Sequence, residues 1–205
     1  MPADRSGPVA GILLAAGTSS RMGSNKLLFD LEGESVLRRA ARRALAGGLS
    51  PLVVVLGHEP EKAWREVEDL PCRWAQNPLY AQGINSSLKA GVLAARGAKA
   101  GAAMVLLADM PFVTAEMIAA MIARYRETQA PLVISDYEGV NAPPMLYDQS
   151  LFVELLTMEG EGCGRQVVKR HRHEAEILPW PAAALADLDV PADYERMVAR
   201  SPASD

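Results

Sequence analysis

At 205 residues the chain suits one globular domain with a substantial core and leaves little room for two. A hydrophobic fraction of 49% and a charged fraction of 22% fit a folded chain rather than a disordered or fibrous one, and a net charge of -4 argues against nucleic acid as the main partner. Cys72 and Cys163 lack the spacing of a zinc site or redox pair, so neither a disulfide framework nor a structural metal is expected. No apolar run reaches the roughly 18 residues of a membrane span, and a reducing, cytoplasmic setting is expected.

Met1 to Pro8 has no apolar signal core and reads as a flexible tail, which leaves a single domain over residues 9–200. Val9 to Leu14 is a continuous apolar run that reads as a buried strand, opening at Gly17 into a small, hydroxyl-rich loop that carries Arg21 and Lys26. Gly17 and Gly23 permit backbone angles closed to other residues, so the loop is either a phosphate cradle or a polar turn. Ser35 stands as N-cap of a helix with Val36, Leu37, Ala40, Ala41, Ala44 and Leu45 at helical spacing, ended by Gly47-Gly48. Its Arg38, Arg39, Arg42 and Arg43 read as a solvated basic face. Pro51 to Leu56 is a second buried strand. His58, in the turn before a helix that reaches about Val67, reads as a turn or cap histidine, with a ligand contact as the alternative.

Cys72 to Gln76 is a weak strand, and Asn77-Pro78 with Gly83 makes the next stretch a loop. Asn85 or Ser86 is expected to cap the Ala-rich helix that follows, through about Arg96. Ala102 to Ala108 is the clearest strand, and Asp109 stands at its carboxyl end, where open α/β sheets bind ligands. If the first loop holds polyphosphate, Asp109 suits a magnesium ligand; otherwise it closes an Asx-turn. Thr114 caps a helix whose Met117, Ile118, Met121 and Ile122 form a core stripe. Pro131 to Ser135 and Met145 to Tyr147 read as strands, Asp148 starts a helix through Leu156, and Glu159 to Arg165 is a second Gly-rich loop leading into a short helix. Lys169 to His173 reads as a solvated helix end, with a phosphate contact as the alternative. Ala175 to Leu178 suggests a last strand, and Pro191 opens a closing helix. Alternating strands and helices give a three-layer α/β architecture.

Three blocks then stand out together: Leu14-Ala15-Ala16-Gly17 with Ser20-Arg21-Met22-Gly23 and Lys26; Asn77-Pro78 with Gly83 and Ser87-Leu88; and Leu107-Ala108-Asp109-Met110-Pro111. In order and spacing they resemble the molybdenum cofactor nucleotidyltransferases, and Leu188 to Tyr194 is similar to that family's closing segment. The resemblance implies a Rossmann-like nucleotidyltransferase fold with a mostly parallel sheet, whose first loop wraps an NTP triphosphate. It implies phosphate contacts from Arg21, Lys26 and the backbone of Leu14, Ala15, Ala16, Gly17, Thr18 and Ser19. Asn77, Gly83 and Ser87 would shape the base and ribose pocket, and Asp109 would hold Mg²⁺.

Ala16 leans toward CTP, because cytidylyl-transferring members read L-A-A-G. The implied reaction moves CMP from CTP to the phosphate of molybdopterin and releases pyrophosphate, with a client molybdoenzyme as a further partner. Two segments depart from the family pattern: Gly160-Glu161-Gly162-Cys163-Gly164-Arg165 stands for G-D-x-G-A-R, and Ala142-Pro143-Pro144 for G-x-P. Both lie toward the acceptor side, so a different acceptor stays open, and Glu161 is a weak candidate for a second metal ligand. Two other readings also stay open: a transferase for a sugar or polyol phosphate, and a non-catalytic carrier of nucleotide or cofactor.

Overall fold

The N-terminal apolar run forms β1 (Val9–Ala15), with every residue buried. The computed structural model describes residues 7–17, 25–160 and 162–186. A short hairpin of β2 (Asp30–Leu31) and β3 (Glu34–Ser35) follows, turned by Gly33 at φ +83° and by its amide bond to Asp30 Oδ1. The Ser35 hydroxyl then caps α1 (Val36–Ala46) through the Arg38 amide, as the sequence predicts. Next come β4 (Leu52–Leu56), α2 (Pro60–Arg65) and β5 (Cys72–Gln76). Helix α3 (Ile84–Gly97) differs from expectation at its start: Gly83 occupies the N-cap at φ +101°, not Asn85 or Ser86. After β6 (Ala102–Leu107), Thr114 caps α4 (Ala115–Thr128) as expected.

Strands β7 (Leu132–Tyr137) and β8 (Val140–Asp148) form a hairpin longer than the two short strands expected. The register passes from Ile134 opposite Met145 to Ser135 opposite Ala142, so Pro143 and Pro144 sit in a bulge. That explains why two prolines, which cannot donate to a ladder, occur within a strand. Their carbonyls are not wasted: Tyr137 donates to Pro143 O at 2.9 Å and Ser135 to Pro144 O at 2.8 Å. A short 3₁₀ turn capped by Asp148 intervenes before α5 (Phe152–Thr157), which therefore begins later than the expected helix start. Helix α6 (Cys163–His171) and β9 (Ala175–Trp180) complete the described elements. The Pro191 helix and the Leu188 to Tyr194 segment lie outside the described residues.

Seven strands form one sheet in the order β5-β4-β1-β6-β8-β7-β9, and β8 runs antiparallel to both its neighbours while the other pairings are parallel. Alternation along β1 divides the core. Val9, Leu13 and Ala15 pack with α1 and α4, whereas Ala10, Ile12 and Leu14 pack with α3, α5 and α6. The result is the three-layer, mostly parallel sheet expected from the sequence. All the carboxyl ends of β1, β4, β5 and β6 open on one side, and β1 lies inside the sheet between β4 and β6.

The core is pinned near the opposite end by a buried polar contact. The Tyr125 hydroxyl donates to Asp148 Oδ2 at 2.6 Å and lies 3.3 Å from the Gly101 carbonyl, and Asp148 is 0% exposed. Tyr125→Phe removes a donor to a buried carboxylate and is expected to cost about 1.5–3 kcal/mol. Urea denaturation checks this: a midpoint unchanged from wild type would show that the contact contributes nothing.

Candidate functional site

The first loop's flanks, the Asn77 block and the Asp109 block converge at the carboxyl ends of the strands. A cavity of about 380 Å³ there is lined by Leu14 to Gly17 at the end of β1, Lys26, Tyr80, Ala81, Gly83 and Ser87 around the start of α3, and Leu107 and Asp109 at the end of β6. The Lys26 ammonium meets Asp109 Oδ2 at 2.6 Å, with 13% and 24% of the two side chains exposed. Residues 83 positions apart are thus joined at the cavity wall. Arg21, Thr18 and Ser19, together with Glu161, lie outside the described residues.

The sequence-predicted residues take different places. Leu14, Ala15 and Ala16 are buried where β1 ends, and Gly17 is exposed at the cavity. Gly83 and Ser87 line it, but Asn77 does not. Asn77 is 4% exposed and fully engaged: its Nδ2 donates to Ser86 Oγ and Ser87 Oγ, both at 2.9 Å, and its Oδ1 accepts from the Leu79 amide. It acts on the pocket by fixing the turn that carries Gly83 and Ser87. His58 stands behind Tyr80, ring centroids 6.1 Å apart, and is not part of the wall.

A second cavity of about 660 Å³ shares Leu14, Gly83, Ile84 and Leu107 with the first. Its floor is apolar, from Leu88, Val105, Met110 and Met145, and its rim carries Asn141, Arg165 and the Tyr147 ring. Burial pushes the Tyr147 hydroxyl well up, so it stays protonated, and it donates to Met145 Sδ at 3.5 Å. The two segments that depart from the family pattern, around Ala142 and Gly164, both border this cavity.

Sequence reasoning missed the residues that hold these loops. Arg43, read as part of a solvated face, reaches from α1 to the carbonyls of Pro111 and Val113, just beyond Asp109. Desolvation, with Arg39 adding to it, draws its pKa below the usual arginine value. Arg39 is itself buried and paired with Glu32 and Glu34, while Arg38 makes a bidentate pair with Asp69 at 2.7 Å. The basic face is therefore half structural. In the Lys169 to His173 cluster, Arg170 and His171 pair with Glu154, His173 pairs with Glu174, and Arg172 donates to Asn141 Oδ1 beside the larger cavity. Among the described residues, no group of three or more His, Cys, Asp and Glu is placed to share a metal ion.

Chemically, a cation and a carboxylate on the wall of a cavity at the strand ends can neutralise and orient phosphate, and an adjoining apolar cavity can hold a second molecule against it. The comparisons with known proteins agree with that arrangement. Purine catabolism protein PucB of Bacillus subtilis (strain 168) is 27% identical over 96% of this chain and 98% of its own length. A probable molybdenum cofactor guanylyltransferase of Opitutus terrae is 37% identical, over 52% of this chain and 50% of its own. The crystal structure of Rv0371c from Mycobacterium tuberculosis H37Rv superposes with a TM-score of 0.83 at 22% identity, covering 95% of this chain and 99% of that one. The profile of the MobA-like NTP transferase domain matches residues 11–175, and with most of its length inside that match the chain belongs to the MobA-like NTP transferase family.

Proposed function

We propose that the protein transfers CMP from CTP to the terminal phosphate of molybdopterin and releases pyrophosphate. The observation that carries this is the pair of contiguous cavities: one with Lys26 and Asp109 on its wall, the other apolar-floored with Arg165 at its rim. A sugar phosphate presents hydroxyls on every side and asks for many polar partners. The larger cavity offers an apolar floor of Leu88, Val105, Met110 and Met145 suited to a fused ring system, with Asn85, Asn141 and Arg165 as polar groups around it.

In the smaller cavity the triphosphate lies along the backbone from Ala15 to Gly17, with Lys26 neutralising it, and Thr18, Ser19 and Arg21 complete the cradle. Ala16 lines this cavity, with its methyl near Gly57, and the Leu14-Ala15-Ala16-Gly17 reading favours CTP. Asp109 suits Mg²⁺, which is commonly held by one or two carboxylates together with substrate phosphates, so no larger carboxylate cluster is needed among the described residues. Bound there, the ion would supply charge neutralisation to the phosphates. An oxygen of the acceptor phosphate attacks the α-phosphorus of CTP, the bond to the bridging oxygen of the β-phosphate breaks, and pyrophosphate leaves. Lys26 gains from this step because negative charge moves toward it, and positioning rather than a protein nucleophile drives the transfer.

Pyrophosphate release by purified protein with Mg²⁺, each of the four NTPs, and molybdopterin or its molybdate-loaded form tests the proposal. CTP-selective turnover that requires the acceptor is expected. Turnover with a sugar or polyol phosphate and not with molybdopterin would replace the acceptor, and CTP binding with no turnover would make the protein a carrier.

A further inference from the structure

Asn85 stands in the first turn of α3, lines the larger cavity, and ties that turn to the loop before α6. Its Nδ2 donates to the Gly160 carbonyl and its Oδ1 accepts from the Cys163 amide at 3.0 Å, partners 75 and 78 residues away. Two positions before it, Gly83 lines both cavities; two positions after Cys163, Arg165 lines the larger one. Cys163 is the first residue of α6, and the preceding Gly162, at φ +70°, offers no side chain to cap the helix. The Cys163 amide is one of the donors that a helix start leaves without an internal partner. Asn85 satisfies it from another helix, while the Cys163 thiol reaches back to the Met158 and Gly160 carbonyls at 3.3 and 3.4 Å.

We propose that Asn85 is a positioning residue for the acceptor: by holding Gly160 and the start of α6, it fixes Gly164 and Arg165 at the distance from the nucleotide cavity that brings an acceptor phosphate into line. This rests on the nucleotidyl-transfer reading above. The carboxamide is needed on both sides, since one end donates and the other accepts. Asn85→Asp keeps an acceptor for the Cys163 amide but turns an oxygen toward the Gly160 carbonyl; Asn85→Ala loses both contacts.

The test compares wild type, Asn85→Ala and Asn85→Asp, with CTP affinity measured by calorimetry and acceptor dependence by pyrophosphate release. For Asn85→Ala the acceptor KM is expected to rise about tenfold or more while the CTP Kd stays within about twofold, because a displaced loop misplaces one substrate and not the other. Asn85→Asp should fall between the two proteins. A CTP Kd that rises in step with the acceptor KM, or an unchanged acceptor KM, would overturn the proposal. Should wild type fail to use molybdopterin, the acceptor assignment falls by itself, and hydrogen exchange decides on Asn85. Amides at 163–166 should then exchange about tenfold faster in Asn85→Ala and near the wild-type rate in Asn85→Asp, and equal protection in all three proteins would overturn the tie.

Discussion

Asp109→Ala is expected to lower metal-dependent pyrophosphate release by about a thousandfold, equivalent to roughly 4 kcal/mol of transition-state stabilisation. The carboxylate stands at the end of β6 and is the one acidic side chain lining the smaller cavity among the described residues. Removing it takes away the proposed oxygen ligand for Mg²⁺. It also removes one negative charge that now meets Lys26 at 2.6 Å, which makes the cavity wall more positive toward phosphate. The variant should therefore hold CTP in the absence of Mg²⁺ at least as well as wild type, yet turn it over poorly at any Mg²⁺ concentration. Asp109→Asn keeps the side-chain volume and should show the same loss, which separates charge from packing. Circular dichroism should be unchanged, because the surrounding turn is held by other groups: Ala108 N to Leu14 O at 3.1 Å, and Arg43 on the Pro111 and Val113 carbonyls. Turnover within tenfold of wild type would remove Asp109 from the mechanism.

Gly91→Val is expected to cost about 3 kcal/mol and to lower the melting temperature by about 6–12 °C, near the upper end for overpacking. Gly91 lies in α3 where the helix rests on the sheet, and a Cβ there would come within 2.2 Å of Ile12 Cγ2 and 3.2 Å of Val55 Cγ2. Both are strand residues inside the core, so neither can retreat into solvent. Gly91→Ala meets the same first contact but gains about 1 kcal/mol of helix propensity, and its loss should be smaller. Because the N-terminus of α3 carries Gly83 and Ser87, a helix lifted from β1 also widens the smaller cavity, and CTP affinity should fall in proportion to the lost stability. A melting temperature equal to wild type would mean that α3 moves aside at no cost.

Much of this site was legible because its signals are local. Leu14 to Gly17 and Asp109 stand at the ends of long apolar strands, and a strand's carboxyl end is where a parallel sheet places its ligand groups. Ser35 and Thr114 announce their helices for the same reason: a cap acts within three residues. What escaped notice depends on residues far apart in the chain. Nothing around Arg43 shows that it will meet Pro111, and nothing around Asn85 shows that Cys163 will need a partner. The Pro143-Pro144 bulge was hidden for a different reason. Proline argues against a strand interior, and only the carbonyl partners Tyr137 and Ser135 across the hairpin make one tolerable. Gly83 was passed over as a cap because its role depends on φ +101° and not on a side chain.

The inner place of β1, between β4 and β6, has a consequence for how the protein is made. It leaves the ribosome before both of its neighbours, and one of its edges pairs with β6, whose Ala102 lies opposite Val9. At about 5–20 residues per second the partner for that edge follows roughly 5–20 s later. During this interval β4 can cover one side of β1, but the other side presents an apolar, unpaired ladder to every nascent neighbour. The strand that ends at the smaller cavity is therefore also a segment that needs protection during synthesis.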